Sequence, residues 1–488
     1  MLFASWLRSL APYSGIRRAR RGSRSVRLKV TRLEPRRVLN ASPLIPAQDP
    51  GFGAIDATAT AQADDLATVI DAGSFADDGA ADTFHVYRSG EGIGVSVDGH
   101  EVFSGRIDGP HGLIIQGSSD ADRFVLHFGA GDLPAAKITF DGGSQPAGGN
   151  DIIELRGAAD EVAHVLHPGG NGASSADATS ITYRDVEQLH DAVNAAVRTV
   201  QLSQIETAEL QGTSDGRLRL ETGELRLDMH RPTERFELDF IGGSGTDLDI
   251  GDLGRDLRFD VAVQGDSHDH ISVGGTAGFT DGAFSVRAGE IDIHGSIQSR
   301  GADLTFEAES RATLFSDGTL DSDGGFVELS AGKDGTLLVA GTVDVSDHSS
   351  RGVGGEAHML GGRVIVAGTA QIDASGTLGG GEILVGGDYQ GSNSDVLNAL
   401  YTSVGRGAVL SADAIRSGDG GKIIVWADVA TAFAGAVIAR GGHAAGNGGF
   451  VEVSGKEGLN FRGTVDLSAA NGAKGTLLLD PRDISIID

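Results

Sequence analysis

The sequence predicts an all-β protein whose main part is a parallel β-helix, and two observations carry that prediction. Residues 448–469 (GGFVEVSGKEGLNFRGTVDLSA) closely match residues 324–347 (GGFVELSAGKDGTLLVAGTVDVSD). Segments similar to the first eight residues of these two phrases begin at residues 361 (GGRVIVAG), 380 (GGEILVGG) and 420 (GGKIIVWAD). A phrase that recurs at irregular multiples of about twenty residues is typical of a solenoid.

Each part of the phrase has an expected structural role. The glycines predict turns with positive φ, and the short Val, Ile and Leu runs predict strands. One repeat cannot bury its own apolar face, so neighbouring repeats must stack. At about 20 residues per repeat and about 4.8 Å between stacked strands, residues 288–488 would form about ten repeats and a rod of about 50 Å.

Composition limits the function classes. The 488 residues include 75 glycines and no cysteine, which excludes disulfides, thiolate metal sites and cysteine nucleophiles. The net charge of −29 is uneven, because residues 1–42 carry eleven Lys or Arg and one acid. The rest of the chain is therefore strongly acidic, which argues against nucleic acid as a partner.

Residues 1–42 are expected to be a disordered basic arm or a targeting segment. Their apolar run precedes the arginines and is interrupted, which is the wrong order for a signal peptide, and no transmembrane span is expected in the chain. Leu33, Glu34, Pro35, Arg36 and Leu39 lie in LEPRRVL, followed by NAS. This segment resembles the LEPR segment near the start of large exported planctomycete proteins, which implies a targeting or processing signal and a location in the envelope or outside the cell.

Three further segments are predicted. Residues 43–82 are rich in Ala, Asp and Gly and suit a flexible linker. Residues 83–200 form a β-rich module, in which Asp98-Gly99 predicts a hairpin turn. Apolar residues between 186 and 200 fit either an amphipathic helix or a pair of strands, and we place a module boundary there. Residues 201–488 are assigned to the β-helix.

A second resemblance covers residues 288–488. GGEILVGGDYQG from residue 380 is followed by GGKIIVWAD from 420, GGFVEVSG from 448 and GTLLLDP from 475. This ordered series is similar to filamentous-haemagglutinin-type large exoproteins, which implies a right-handed parallel β-helix and an adhesive role. This chain differs from the members of that family in two features. The family's amino-terminal secretion domain has no recognisable counterpart, and its members usually continue well past the LLLDP phrase.

Two places in the sequence suggest metal ligands. GGSGTD at residues 242–247 matches the first six positions of the calcium-binding nonapeptide, and Asp247 and Asp249 are the candidate ligands. The tandem copies that complete such a site are missing, so plain Asp/Gly turns are the competing interpretation. His268 and His270 lie on one face of a predicted strand, as two zinc ligands would, but the sequence nominates no third ligand. We expect no cofactor other than calcium.

Several aspartates and aromatic residues have both a functional and a structural interpretation. A polysaccharide-active β-helix enzyme needs converging carboxylates, and Asp292, Asp344 and Asp466 are the candidates. Asp344 and Asp466 recur at one position of the repeat, which favours turn capping. The aromatic residues Tyr389, Tyr401 and Trp426 would stack on sugars if exposed and would otherwise pack in the core.

The function predicted from the sequence is that of an exported, non-enzymatic, adhesin-like structural protein. Its partners would be extracellular glycans, matrix or other cells, and its location would be the cell surface or the medium. The alternating apolar end of the chain, DISII, further predicts end-to-end association, or that the chain is a fragment of a longer product. The alternative function is a polysaccharide lyase or hydrolase.

Overall fold

The computed structural model describes a part of the chain that lies within one unit, Ala57–Asp488. The basic segment 1–42 and its LEPR motif are outside the described residues. So are Gly243 and Ser244 of the predicted calcium motif. The described residues are 68–71, 80–107, 112–128, 133, 137–143, 149–177, 179–242, 245–480 and 482–486.

The described residues are all-β, as predicted, with one short 3-10 helix at Tyr389–Gly391 and no α-helix among them. Their strands form two sheets, the larger of which has 32 strands. These strands are β1 (Thr68–Asp71), β2 (Thr83–Ser89), β3 (Gly92–Val97), β4 (His100–Gly105), β5 (Leu113–Gln116), β6 (Arg123–Phe128), β7 (Lys137–Asp141), β8 (Ile152–His167), β9 (Asn171–Ala176), β10 (Thr179–Arg184), β11 (Gln188–Ser203), β12 (Thr207–Gly212), β13 (Leu218–Glu221), β14 (Arg226–Met229), β15 (Arg235–Ile241), β16 (Asp247–Ile250), β18 (Asp260–Gln264), β19 (His270–Val273), β21 (Phe284–Ile293), β23 (Leu304–Leu314), β25 (Phe326–Ala331), β26 (Thr336–Val339), β28 (Glu356–Leu360), β29 (Arg363–Val366), β31 (Glu382–Val385), β32 (Tyr401–Val404), β34 (Lys422–Ala427), β35 (Ala430–Phe433), β37 (Phe450–Gly455), β38 (Gly458–Phe461), β40 (Thr476–Leu478) and β41 (Asp483–Ile486).

The smaller sheet has nine strands, all paired in parallel in chain order. They are β17 (Gly254–Leu257), β20 (Thr276–Phe279), β22 (Ser296–Ser299), β24 (Thr319–Asp321), β27 (Thr342–Asp344), β30 (Gln371–Asp373), β33 (Val409–Ser411), β36 (Ala436–Ile438) and β39 (Thr464–Asp466).

From β15 onward the strands follow one rule: each pairs in parallel with its counterpart in the next repeat. The first ladder begins with β15, β18 and β21, and the second with β16, β19 and the second half of β21. The nine-stranded sheet is the third ladder. Each of the two matching phrases of the sequence supplies one strand to each ladder: β25, β26 and β27 in one case, and β37, β38 and β39 in the other. The phrase therefore encodes one full repeat.

The repeats are longer and less regular than the sequence predicts. The strands of the first ladder start at residues 284, 304, 326, 356, 382, 422, 450 and 476, which places successive starts 20 to 40 residues apart. The predicted ten repeats of about twenty residues after residue 288 were therefore wrong. Extra residues lie between the strands, and the longest single insertion is residues 386–400, between β31 and β32.

The glycine directly before a first-ladder strand is required by close packing between repeats. A Cβ atom on Gly449 would lie 2.2 Å from the carbonyl oxygen of Gly421, and a Cβ on Gly421 would lie 2.1 Å from that of Gly381. Gly355 and Gly475 are confined in the same way. None of these four glycines has a positive φ. The positive φ predicted for the glycines is not adopted at this position, where the backbone of the preceding repeat leaves no room for a side chain, whereas Gly324 at the start of its pair does adopt it (φ 82°).

The core consists of apolar side chains stacked repeat upon repeat. In the first ladder one column, in register and fully buried, contains Leu304, Val327, Ala357, Ile383, Ile423 and Val451. Burying a large aliphatic side chain contributes about 1.5–3 kcal/mol, so stacking supplies the stability that no single repeat has.

The region before β15 combines parallel pairing with antiparallel hairpins. Asp98 (φ 50°) and Gly99 (φ 81°) join antiparallel β3 and β4, which confirms the predicted hairpin. β1 lies in the predicted linker, yet it pairs with β5, so that stretch is not structureless throughout. The ambiguous segment 186–200 is largely strand: β11 pairs with β8 on one side and with β14 and β15 on the other. The ladder thus continues across the predicted boundary at residue 200.

Candidate functional site

The two carboxylates of the predicted calcium motif lie two residues apart on β16. The Asp247 and Asp249 side chains are exposed, and Asp247 Oδ1 lies 3.3 Å from His270 Nδ1. The other ring nitrogen of His270 lies 3.3 Å from Asp292 Oδ2, so this imidazole bridges two carboxylates. His268 is exposed and contacts Ser267 instead. Within the described residues, no group of three His, Asp or Glu side chains is arranged to hold a metal ion.

The carboxylates that the sequence singled out for catalysis have structural partners. Asp344 accepts a hydrogen bond from the Ser346 backbone N–H (2.9 Å), and Asp466 accepts one from Ser468 N–H (3.1 Å). These are Asx turns at equivalent positions of the repeat, as the turn-capping interpretation expects. Asp292 is paired with Arg311 at 3.1 Å.

The three singled-out aromatic residues differ in exposure. Trp426 is 5% exposed and packs with Leu384 and Ile424 in a small apolar cluster on the outer face of the first ladder. Tyr389 packs against that cluster and Phe450. Tyr401 is 45% exposed on the second ladder, with the Arg363 guanidinium 5.7 Å from its ring centroid.

A groove of about 710 Å³ lies on the outer face of the first ladder, where the strands turn their alternate side chains away from the core. Its volume is within the range of ligand sites. One row of its floor runs in register through Arg287, Glu307, Ser330 and Leu360, contributed by β21, β23, β25 and β28. A second row pairs Glu328 of β25 with His358 of β28.

The floor of the groove combines an aromatic ring with interacting titratable groups. Phe326 and His358 meet edge to face, with ring centroids 4.9 Å apart. Glu328 Oε2 lies 4.0 Å from His358 Nδ1. Burial raises the pKa of Glu328, and the charge of Glu307 raises it further. Burial lowers the pKa of His358, so this imidazole is held in its neutral form.

One wall of the groove is formed by Asp395, Val396 and Leu397, which belong to the long excursion of residues 386–400. Val396 also packs on the apolar cluster around Trp426, so the excursion covers part of the outer sheet face. An ion pair fixes its start: Lys422 Nζ lies 2.6 Å from Asp388 Oδ1 and 3.0 Å from Glu382 Oε1. Although burial opposes it, the hydrogen bond from Lys422 lowers the pKa of Asp388.

A second anchor of the excursion is a buried carboxylate. Gln390 N–H donates to Glu452 Oε2 at 3.1 Å, and Glu452 is fully buried. Its other oxygen, Oε1, has no hydrogen-bond partner within the described part of the chain. Burial raises the pKa of Glu452, and the nearby Asp480 carboxylate raises it further. The ionised form of Glu452 is therefore less favourable under the excursion than it would be in water.

A Ser–His–Asp arrangement occurs elsewhere, but it is closed to substrate. Ser174 Oγ lies 2.8 Å from His164 Nδ1, and His164 Nε2 lies 3.1 Å from Asp191 Oδ2. The order Ser–His–Asp is that of a hydrolase triad, but the ring nitrogens are exchanged, because in a triad the serine faces Nε2 and the aspartate faces Nδ1. However, Ser174 is 2% exposed, and Asp191 is also bound by Arg198, with 2.7 Å between Arg198 Nε and Asp191 Oδ2. The network is a buried structural element.

Sequence reasoning missed the residues of the groove. Glu307 and Glu328 lie in strands that begin 22 residues apart, at 304 and 326, while the wall comes from a third repeat. The available signal was the alternation of acidic with apolar residues in LTFEAE (304–309) and FVEL (326–329), which places the acids on the outer face. Their convergence depends on the register between repeats.

No family model matches the chain, and no curated protein matches it. Among solved structures, the chain is similar to the crystal structure of the HMW1 secretion domain from Haemophilus influenzae. The identity is 17%, the alignment covers 75% of this chain and 89% of that domain, and the TM-score is 0.30. None of the described residues form a helix with the length and hydrophobicity needed to span a bilayer. We therefore draw the function from the residues of this chain.

Proposed function

We propose that this chain is an exported, adhesin-like structural protein that binds an extracellular glycan in the groove on the first ladder. In this proposal the ladders wind as a right-handed parallel β-helix, and the protein acts by binding and not by catalysis. The LEPR segment, with Leu33, Glu34, Pro35, Arg36 and Leu39, directs export. No cofactor takes part, and calcium at Asp247 and Asp249 is not needed.

The observation that carries the proposal is the mixed character of the groove floor. A sugar presents an apolar face of C–H groups and a rim of hydroxyls, so its site needs an aromatic ring beside hydrogen-bonding side chains. Phe326 supplies the ring, and Glu307, Glu328 and Ser330 supply the acceptors. The floor consists of paired strands, which hold these groups at fixed spacings.

Binding of soluble oligosaccharides, measured by calorimetry, tests the proposal. Phe326→Ala removes the ring from the groove, and we expect it to weaken binding at least about tenfold, the scale of an aromatic stacking contact. Tyr401→Ala is the matched control, because this exposed aromatic lies on another ladder. Equal affinity of the Phe326→Ala variant and the wild type would exclude the groove as the binding site.

Export is tested separately, by protease treatment of intact cells followed by mass spectrometry of the released peptides. We expect peptides from residues 84–488 in the released fraction and none from residues 1–42. Peptides that appear only after lysis, still joined to the basic segment, would contradict export.

End-to-end association remains part of the proposal, and a monodisperse monomer in light scattering at high concentration would contradict it.

A second candidate function, glycoside cleavage, is favoured by one observation. Glu307 and Glu328 lie on adjacent strands, two positions apart, so their Cα atoms are about 8 Å apart by strand geometry. Two carboxyl groups are what hydrolysis of a glycosidic bond requires. The raised pKa of Glu328 suits a general acid, and the exposed Glu307 suits a general base. Release of reducing ends from a bound oligosaccharide, abolished by Glu328→Gln, would establish cleavage. Binding without release supports the structural role.

A further inference from the structure

We propose that the groove selects glycans that carry free amino groups over neutral and anionic ones. This inference rests on the proposed function, since it names the ligand class of the same site. Its basis is the charge of the groove. Five carboxylates line it, together with only two permanently charged cations: Glu307, Glu309, Glu328, Asp334 and Asp395 against Arg287 and Lys333.

The carboxylates have a definite arrangement. Glu307 and Glu328 lie on the floor two positions apart on adjacent strands, while Asp395 stands on the wall formed by the excursion. An ammonium group between floor and wall would therefore have acceptors on two sides. Carboxylate acceptors make charge-assisted hydrogen bonds to such a group, which are about twice as strong as neutral ones.

The state of Glu328 points in the same direction. Its half-buried carboxyl experiences the negative charge of Glu307, and its pKa is raised both by burial and by that charge. A bound ammonium group would relieve the repulsion and favour the ionised form of Glu328. Binding of an amino sugar should consequently weaken as the pH falls through the pKa of Glu328, because protonation removes the acceptor charge.

The other titratable groups of the groove do not reverse this preference. His358 faces Glu328 from the next strand, and burial lowers the pKa of its imidazole, so it adds no positive charge at neutral pH. The Phe326 ring, which meets His358 edge to face, offers a face on which a cation is attracted by the ring electrons. A uronate or sulfated chain would bring its own negative charges against the five carboxylates, which is unfavourable.

The test compares three oligosaccharides of equal length: glucosamine, N-acetylglucosamine and galacturonic acid trimers. Short oligomers at physiological salt limit non-specific attraction to an acidic protein. We expect the glucosamine trimer to bind at least about tenfold more tightly than the acetylated trimer, the scale of one charge-assisted hydrogen bond. The galacturonic acid trimer should bind more weakly than both.

Two variants assign the preference to the groove. Glu307→Gln with Glu328→Gln should remove the preference for the amino form, so that the glucosamine and acetylated trimers then bind this variant with affinities within about threefold of each other. Glu91→Gln, in an exposed ion pair with Arg106 outside the groove, is the matched control and should change nothing. Loss of the preference in the control as well would mean that the general acidity of the chain causes it, and would overturn the inference.

The possible results separate the inference from the function on which it rests. Equal or tighter binding of the acetylated trimer, still sensitive to Phe326→Ala, would overturn the inference and support glycan binding. Tighter binding of the galacturonic acid trimer would overturn the inference as well. Absence of binding by all three trimers would overturn the inference together with the assignment of a glycan site to the groove.

Discussion

Replacing Asp191 with Asn tests whether the buried polar network stabilises the region around β8 and β11. Asp191 and Arg198 have fully buried side chains, with Arg198 Nε 2.7 Å from Asp191 Oδ2. His164 Nε2 lies 3.1 Å from the same carboxylate, and Val193 N–H donates to its other oxygen at 2.9 Å. The substitution keeps the shape but leaves the Arg198 charge without a counterion. Breaking a buried pair in this way costs about 3–5 kcal/mol.

The assay is urea unfolding combined with hydrogen exchange of peptides from β8 and β11, because a repeat protein need not unfold in one step. We expect Asp191→Asn to lower the free energy of opening in these peptides by about 3–5 kcal/mol. Glu91→Gln is the control. It breaks the Arg106 pair, whose side chains are 64% and 82% exposed, and should cost less than about 1 kcal/mol.

A double variant separates the cost of an unpaired charge from the value of the pair. Asp191→Leu combined with Arg198→Met should cost clearly less than the sum of the single variants, since neither charge then remains buried alone. A loss of under about 1 kcal/mol for Asp191→Asn alone would refute the reasoning. It would mean that Arg198 finds other acceptors or water when the carboxylate is removed.

The same network predicts a pH dependence. Although burial opposes it, hydrogen bonds and charge from His164 and Arg198 lower the pKa of Asp191 below its value in the unfolded chain. A depressed carboxylate pKa stabilises the folded state above the unfolded value of about 4, and this contribution is lost as the pH falls toward the folded value. The stability of the wild type should therefore decline in acid more steeply than that of Asp191→Asn.

Three further predictions concern the excursion, one glycine and calcium. Glu452→Gln should slow hydrogen exchange of residues 386–400 at pH 7, because a neutral side chain replaces a buried carboxylate under this segment. Burial raises the pKa of Glu452, so the difference in exchange between the variant and the wild type should vanish as the pH falls through that pKa. Gly157→Ala should destabilise the fold by more than about 1 kcal/mol in thermal unfolding, since φ at Gly157 is +115° and a Cβ would lie 1.6 Å from the Phe128 carbonyl oxygen. Gly90→Ala is the control. Gly90 has open space around it, so this substitution should cost about 1 kcal/mol or less. Millimolar calcium should leave the melting temperature unchanged, because no group of three His, Asp or Glu side chains among the described residues is arranged to hold an ion; a rise of several degrees would contradict this.

The repeat and its turns could be predicted from the sequence because their determinants are local. The hairpin turn at Asp98-Gly99 needs two residues that tolerate positive φ, and the sequence supplies both. Asp344 and Asp466 cap turns two residues ahead, so their shared position in the repeat was sufficient to suggest that role.

The groove and the buried network could not be predicted because they depend on register between distant residues. Glu307 lies beside Glu328 only because β23 and β25 pair with Leu304 opposite Val327. The register of β11 with β8 places Asp191 opposite Leu155 and His164 opposite Val200, so Asp191 meets His164 across the interior and not as a paired neighbour. The lengths of the intervals between paired strands vary, and a shift by one residue would turn every side chain to the other face.

The position of the groove follows from where the repeat is broken. A regular ladder places equivalent side chains in columns, and the Asp turns and glycine pairs show that such columns serve the architecture. A ligand site needs a concave surface, which a flat ladder face does not provide. The longest interval between first-ladder starts, from residue 382 to 422, contains the excursion that raises a wall on this face. The paired strands thus hold the floor rigid, and the inserted residues are free to determine which ligand the floor accepts.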